Sequence, residues 1–215
     1  MIIRALSLIF VFIVFAIYAA ISKPELPEKP MSQRYQKLNS SGQPIAPWAG
    51  PWSCVLDQKT GLVWEVKNDA ENIHDAYWTY SWQLNNMGVA DRGDCYFEPN
   101  RCDTDDLIRR ANQQQTCGIH QWRLPTKEEL LTLVSHDLRP GEATIAKDFF
   151  PHTKRGDYWT STANQPLEGA FKHLGHGAYA VNFITGEAII IPYRNAAFVR
   201  LVAETKTEKT LSLIK

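Results

Sequence analysis

Four cysteines are the residues here whose spacing most constrains chemistry: Cys54, Cys95, Cys102 and Cys117. No C-x-x-C pair occurs, and His120 is the only histidine close after Cys117, so the set fits neither a zinc site nor a thiol redox motif. An even number of cysteines behind an export-type N-terminus reads as two disulfides, with three connectivities open. The spacing favours Cys95 with Cys102, since the six residues between them can close a small loop, and Cys54 with Cys117. The larger ring contributes roughly 4 kcal/mol by the chain-entropy relation.

Other polar groupings carry weaker chemical signals. Asp103, Thr104, Asp105 and Asp106 could donate oxygens to Ca²⁺, but the spacing is not D-x-D-x-D-G. Capping of a following helix accounts for them better, so no metal and no cofactor is expected. His173 and His176 could share a metal only on a helix, and Gly175 and Gly177 argue for a solvated loop. No G-x-S-x-G elbow is present. No catalytic residue can be named, and a non-enzymatic protein is expected.

Aromatic residues give the alternative, a binding surface. Tyr77, Trp78, Tyr80 and Trp82 crowd one long polar segment, and Tyr193, Arg194 and Asn195 could add a planar fork for a sulfate or carboxylate. Each ring could equally pin its loop to the body. The 23 basic and 23 acidic residues cancel, so there is no electrostatic footprint for nucleic acid.

The elements that must position these groups follow from pattern. Ala5–Ile21 is a run of 17 residues without a charge, after a single Arg4. At 1.5 Å per residue it reaches about 25 Å, between a cleavable signal and a spanning anchor. Residues 1–22 therefore read as signal peptide or signal-anchor helix. Residues 23–51 are rich in Pro, Ser, Gln and charge and read as a linker. Residues 52–204 are the globular domain, and 205–215 a polar tail. Either N-terminal reading exports the domain, to the periplasm or the cell surface.

Within the domain, Cys54–Asp57 and Leu62–Lys67 flank a Thr60-Gly61 turn as a hairpin. Asp103 or Thr104 caps a helix reaching about Gln115. Thr126-Lys127-Glu128-Glu129 has the form of a capping box, opening a helix to about Ser135. Tyr158–Thr162, Ala178–Ile184, Glu187–Ile191 and Phe198–Ala203 read as strands, with Tyr179, Val181 and Phe183 on one face. The last strand could pair with the first hairpin. The whole is an α+β plan on a mainly antiparallel sheet.

Several segments, taken together, resemble the Lcl C-terminal domain family. They are Thr60-Gly61-Leu62-Val63-Trp64-Glu65, Trp122-Arg123-Leu124-Pro125-Thr126 with Glu129, Tyr158-Trp159-Thr160-Ser161-Thr162, and Val199-Arg200-Leu201-Val202. The Cys95, Cys102, Asp103, Thr104 and Cys117 pattern also looks like that of its members. The R-L-P-T-x-x-E element is similar to that of formylglycine-generating enzymes. The resemblance implies a C-type-lectin-like fold with two helices and long loops. It also implies an exported binding or adhesion module for polysaccharide. An envelope structural or assembly partner, or an enzyme related to the formylglycine-generating group, are the alternatives. Trp122 and Trp159 are expected in the core. Arg123 and Glu129 could be read as a functional charge pair, but Arg123 is expected to be structural, buried beside the helix start and satisfied by carbonyls or a carboxylate.

Overall fold

The computed structural model describes residues 34–95, 101–135 and 141–205. The signal or anchor reading of residues 1–22 lies outside these residues, as does nearly all of the polar tail.

The described residues open with a strand that composition did not announce. β1 (Tyr35–Leu38) pairs antiparallel with β2 (Cys54–Asp57), with Tyr35 opposite Asp57 and Leu38 opposite Cys54. The end of the supposed linker is thus the edge of a sheet, and 34–51 is folded rather than spacer. Pairing there is through backbone, and Arg34 clamps the join: its Nε and Nη2 donate to the Asp57 carboxylate at 3.0 and 2.6 Å.

β2 turns through Thr60-Gly61 into β3 (Leu62–Glu65), and β10 (Val202–Glu204) pairs on the far side of β3. The order β1-β2-β3-β10 joins the two ends of the domain, as the pattern predicted. A second sheet is centred on β8 (His176–Asn182). β9 (Glu187–Pro192) pairs along one edge, and β6 (Asp157–Trp159) and β7 (Gln165–Pro166) share the other. β4 (Gln83–Leu84) and β5 (Met87–Gly88) make a small hairpin inside the long polar loop.

β8 departs from simple alternation. Val181 and Phe183 are buried, but so are Ala178 and Ala180, while Tyr179 is half-exposed. Small residues on the second face let other parts of the domain close over it, so both faces are covered. A three-residue-per-turn helix at Gly169–Leu174 replaces the open loop expected around His173. His173 there donates from Nδ1 to its own turn, at 2.9 Å from the Ala170 carbonyl.

Helix α1 (Thr104–Gln114) begins at Asp103, whose carboxylate accepts the Asp106 amide at 2.9 Å. Leu107 and Ala111 face the core. Helix α2 (Lys127–Leu131) carries the complete capping box: Thr126 Oγ1 accepts the Glu129 amide, and Glu129 Oε2 accepts the Thr126 amide. It stops four residues before the predicted end. Thr132 Oγ1 donates to the Glu129 carbonyl, and the Ser135 amide leaves the helix to donate to Thr144.

Two buried clusters fill the interior. One gathers Trp82, Leu107, Trp122, Leu124, Trp159 and Leu201; the other Trp64, Leu130, Phe150, Tyr158, Phe183 and Val202. Cys54–Cys117 and Cys95–Cys102 are both bonded, so no free thiol remains. The architecture is α+β, mostly antiparallel, with two disulfides.

Candidate functional site

Folding divides the aromatic candidates between core and surface. Tyr80 and Trp82 are core residues, 3% and 1% exposed. The Trp82 indole donates to the Thr160 carbonyl at 2.8 Å, which satisfies its only donor away from solvent. Tyr193 stacks on Trp82 with ring centroids 4.8 Å apart, and its hydroxyl accepts the Asn164 amide. Arg194 is exposed and Asn195 half-buried at the turn after β9. Tyr77 is exposed, with Lys154 Nζ 3.1 Å from its ring centroid. Trp78 Nε1 donates to the Asn72 carbonyl and braces its own loop. These seven residues therefore do not form one surface, and the pinning role holds for most of them.

Arg123 is less buried than expected. Its side chain is 37% exposed, and its guanidinium forks onto Glu129 at 2.7 and 2.8 Å. The Arg123 hydrogen bond holds the Glu129 carboxyl below its ordinary value. This is a helix-start clamp built on Leu124-Pro125-Thr126. Trp122 and Trp159 are core, with indoles donating to Thr116 and Tyr80 carbonyls.

The polar chemistry concentrates elsewhere, under the end of β3. Glu65 and Lys67, two residues apart on one strand face, are both buried. Lys67 Nζ lies 2.9 Å from Glu65 Oε1, and His74 Nδ1 lies 2.6 Å from the same oxygen. Glu65 Oε2 accepts the Leu201 amide. Arg200, also buried, donates through Nη1 to the Glu65 carbonyl and through Nη2 to Thr153 Oγ1. Burial works against a charged Glu65, yet Lys67 and His74 outweigh it and hold the carboxyl far below the usual range. Burial pulls both Lys67 and Arg200 down from their ordinary values.

This network floors a cleft of about 400 Å³ walled by Trp52, Lys67, Asn68, His74, Gln115 and Thr116. Loop 68–78 forms one wall, folded on itself by the Asn72 and Asp75 side chains, which accept the His74, Glu71 and Tyr77 amides. The turn after α1 forms another, and there Thr116 Oγ1 lies 3.0 Å from His74 Nε2. A carboxylate at Nδ1 sets that nitrogen as the donor, and in that tautomer Nε2 accepts the Thr116 hydroxyl. Hydroxyl, imidazole and carboxylate in that order also describe an activated nucleophile. Here Glu65 Oε1 is shared with Lys67, which neutralises the charge an imidazolium would need. Asn68 carries a buried Oδ1 with no partner among the described residues.

None of Lys67, Asn68, His74 or Thr116 stood out in the sequence. The one usable signal was Glu65 and Lys67 alternating with Trp64 and Val66 in an apolar run, which places opposite charges on a single side. A second cleft, of about 330 Å³, is lined mainly by apolar groups of Leu38, Leu56, Val63 and Ile119. Among the described residues no cluster of His, Cys, Asp and Glu is placed to hold a metal ion, and no helix is long and apolar enough to cross a membrane.

Comparison with curated proteins and with solved structures gives no match. The Lcl C-terminal domain profile, in contrast, matches residues 53–203, from the foot of β2 into β10. That span contains both disulfides, the clamp at Arg123 and the whole Glu65 network, so the chain belongs to the Lcl C-terminal domain family.

Proposed function

We propose that this protein is an exported, non-enzymatic binding domain whose cleft takes a hydroxyl-rich ligand, a segment of glycan. The observation that carries the reading is the make-up of the cleft. An indole, carboxamides and a hydroxyl surround charges already paired with one another, so the walls offer hydrogen bonds and a ring without net charge. Saccharides are bound by that combination of directional polar groups and apolar faces. Four cysteines held as two disulfides are compatible with a life outside the cytoplasm, at the periplasmic or outer face of the envelope.

The test is a glycan array probed with the full chain in detergent, at two salt concentrations, with and without Ca²⁺. Binding to a saccharide class that weakens at least tenfold in Asn68→Leu, with an unchanged melting temperature, is the expected result. Loss on adding a Ca²⁺ chelator would contradict the metal-free cleft. An empty array, beside co-purification of one envelope protein, would replace this reading with an assembly role.

A further inference from the structure

Trp48 is 82% exposed, whereas the other six tryptophans are buried or half-buried. A single exposed indole is unremarkable by itself. This one is mounted. It sits on a turn closed by the Ala49 amide donating to Ala46, and the loop's feet are tied by Ile45 to Lys37 and Ser53 to Leu38 backbone bonds. Gln36 Nε2 donates to the Ile45 carbonyl at 2.7 Å. Just beyond the turn, Trp52 donates to the Phe149 carbonyl and carries Lys37 Nζ 3.6 Å above its ring. The indole is therefore presented on a pinned loop, at little further entropy cost on binding.

The surroundings are equally selective. Residues 38–56 contain no Asp, Glu, Lys, Arg or His, in a chain that is 21% charged. The tip, Ala46-Pro47-Trp48-Ala49, offers an apolar ring with one N–H and no charge. That amphipathic profile partitions to the boundary between lipid headgroups and acyl chains. The sequence also supplies the surface. Only the twelve residues Ser22–Gln33 separate the apolar run Ala5–Ile21 from Arg34, a reach of at most about 40 Å.

We propose that the Trp48 loop seats in the headgroup layer of the bilayer to which the N-terminal segment attaches the chain. This rests on the membrane-anchored form of the exported domain. Two anchoring points then set the domain's orientation, and the cleft, whose wall includes Pro51 and Trp52, is held beside the membrane surface.

The experiment uses the full chain reconstituted in liposomes, with lipids brominated at a shallow acyl position as tryptophan quenchers. Quenching is expected in the parent chain, lost in Trp48→Phe and kept in Trp78→Phe, with glycan binding unchanged by Trp48→Phe. Co-flotation with liposomes but equal quenching in parent and Trp48→Phe overturns the loop contact and leaves the anchor standing. A chain that does not float with liposomes overturns the anchor and the loop contact together. A parent chain that is quenched as expected but binds no glycan overturns the cleft reading and leaves the loop contact standing, whereas loss of glycan binding in Trp48→Phe puts the indole in the ligand site and overturns the loop contact.

Discussion

Replacing Glu65 by glutamine should be among the costliest single changes in this domain. The substitution keeps shape and one acceptor for the Leu201 amide, but it removes the counter-charge of Lys67, whose side chain is 2% exposed. Lys67 then remains buried beside Arg200 with no carboxylate on it. Breaking a buried pair from one side costs roughly 3–5 kcal/mol. For a domain of this size each kcal/mol moves the melting temperature by about 2–4 °C, so a fall of roughly 6–20 °C is expected. Urea titration and calorimetry measure it, with exposed Glu187→Gln as the control. The double variant Glu65→Gln, Lys67→Met should cost clearly less than the sum of the two singles, because it removes the stranded ammonium. The pH dependence adds a second readout. The unfolded carboxyl titrates near 4.5 while the folded one resists protonation, so the unfolded chain takes up the proton first. The contribution is present above that value and is lost as pH falls below it. The parent should lose stability on acidification more steeply than Glu65→Gln. A cost under about 1 kcal/mol, additive singles, or identical acid limbs would refute the reasoning.

The disulfides should rank by loop size. Cys54→Ala with Cys117→Ala opens a ring spanning a sequence separation of 63 and should cost roughly 4 kcal/mol, while removing Cys95–Cys102, with a separation of 7, should cost roughly 2.5 kcal/mol. Denaturant midpoints of the two double variants test the order. At high pH, burial raises the Tyr158 hydroxyl from 10.0 to about 12. The folded state then holds a proton that the unfolded state has lost, so stability should decline from pH 10 toward pH 12 by roughly 3 kcal/mol for this group. Tyr158→Phe should flatten that limb, read by circular dichroism across the alkaline range.

Much of the fold was legible where a local rule and the tertiary structure agree. The first hairpin follows from alternation around Thr60-Gly61, and both helix starts follow from side chains that cap their own backbone, Asp103 and Thr126. The cysteine pairing followed from ring size and compartment. β1 was hidden because an edge strand needs only backbone partners, and its neighbours in sequence have linker composition. The aromatic set misled because an indole in a polar segment looks available, whereas Trp82 satisfies its single N–H on a distant carbonyl, 78 residues away. The cleft was illegible for a related reason. Lys67, His74 and Thr116 are 49 residues apart in sequence at the extremes and meet only through β3, a loop and the end of α1.

That meeting point has a consequence for how the cleft works. Glu65 reaches Lys67 just past the end of its own strand, His74 on the loop and the Leu201 amide on the closing segment, and through His74 it reaches Thr116. Directly across the β2–β3 ladder from Glu65 stands Cys54, bonded to Cys117 one residue beyond Thr116. The wall carrying Thr116 is thus fixed twice, by a covalent bond and by a hydrogen-bonded chain that starts from paired residues. Both ties therefore act on a ligand by holding the walls at their spacing. Opening the Cys54–Cys117 bond should therefore loosen ligand binding as well as stability, whereas opening Cys95–Cys102, which closes a separate loop beside Ser81, should leave binding intact in whatever fraction of the protein stays folded.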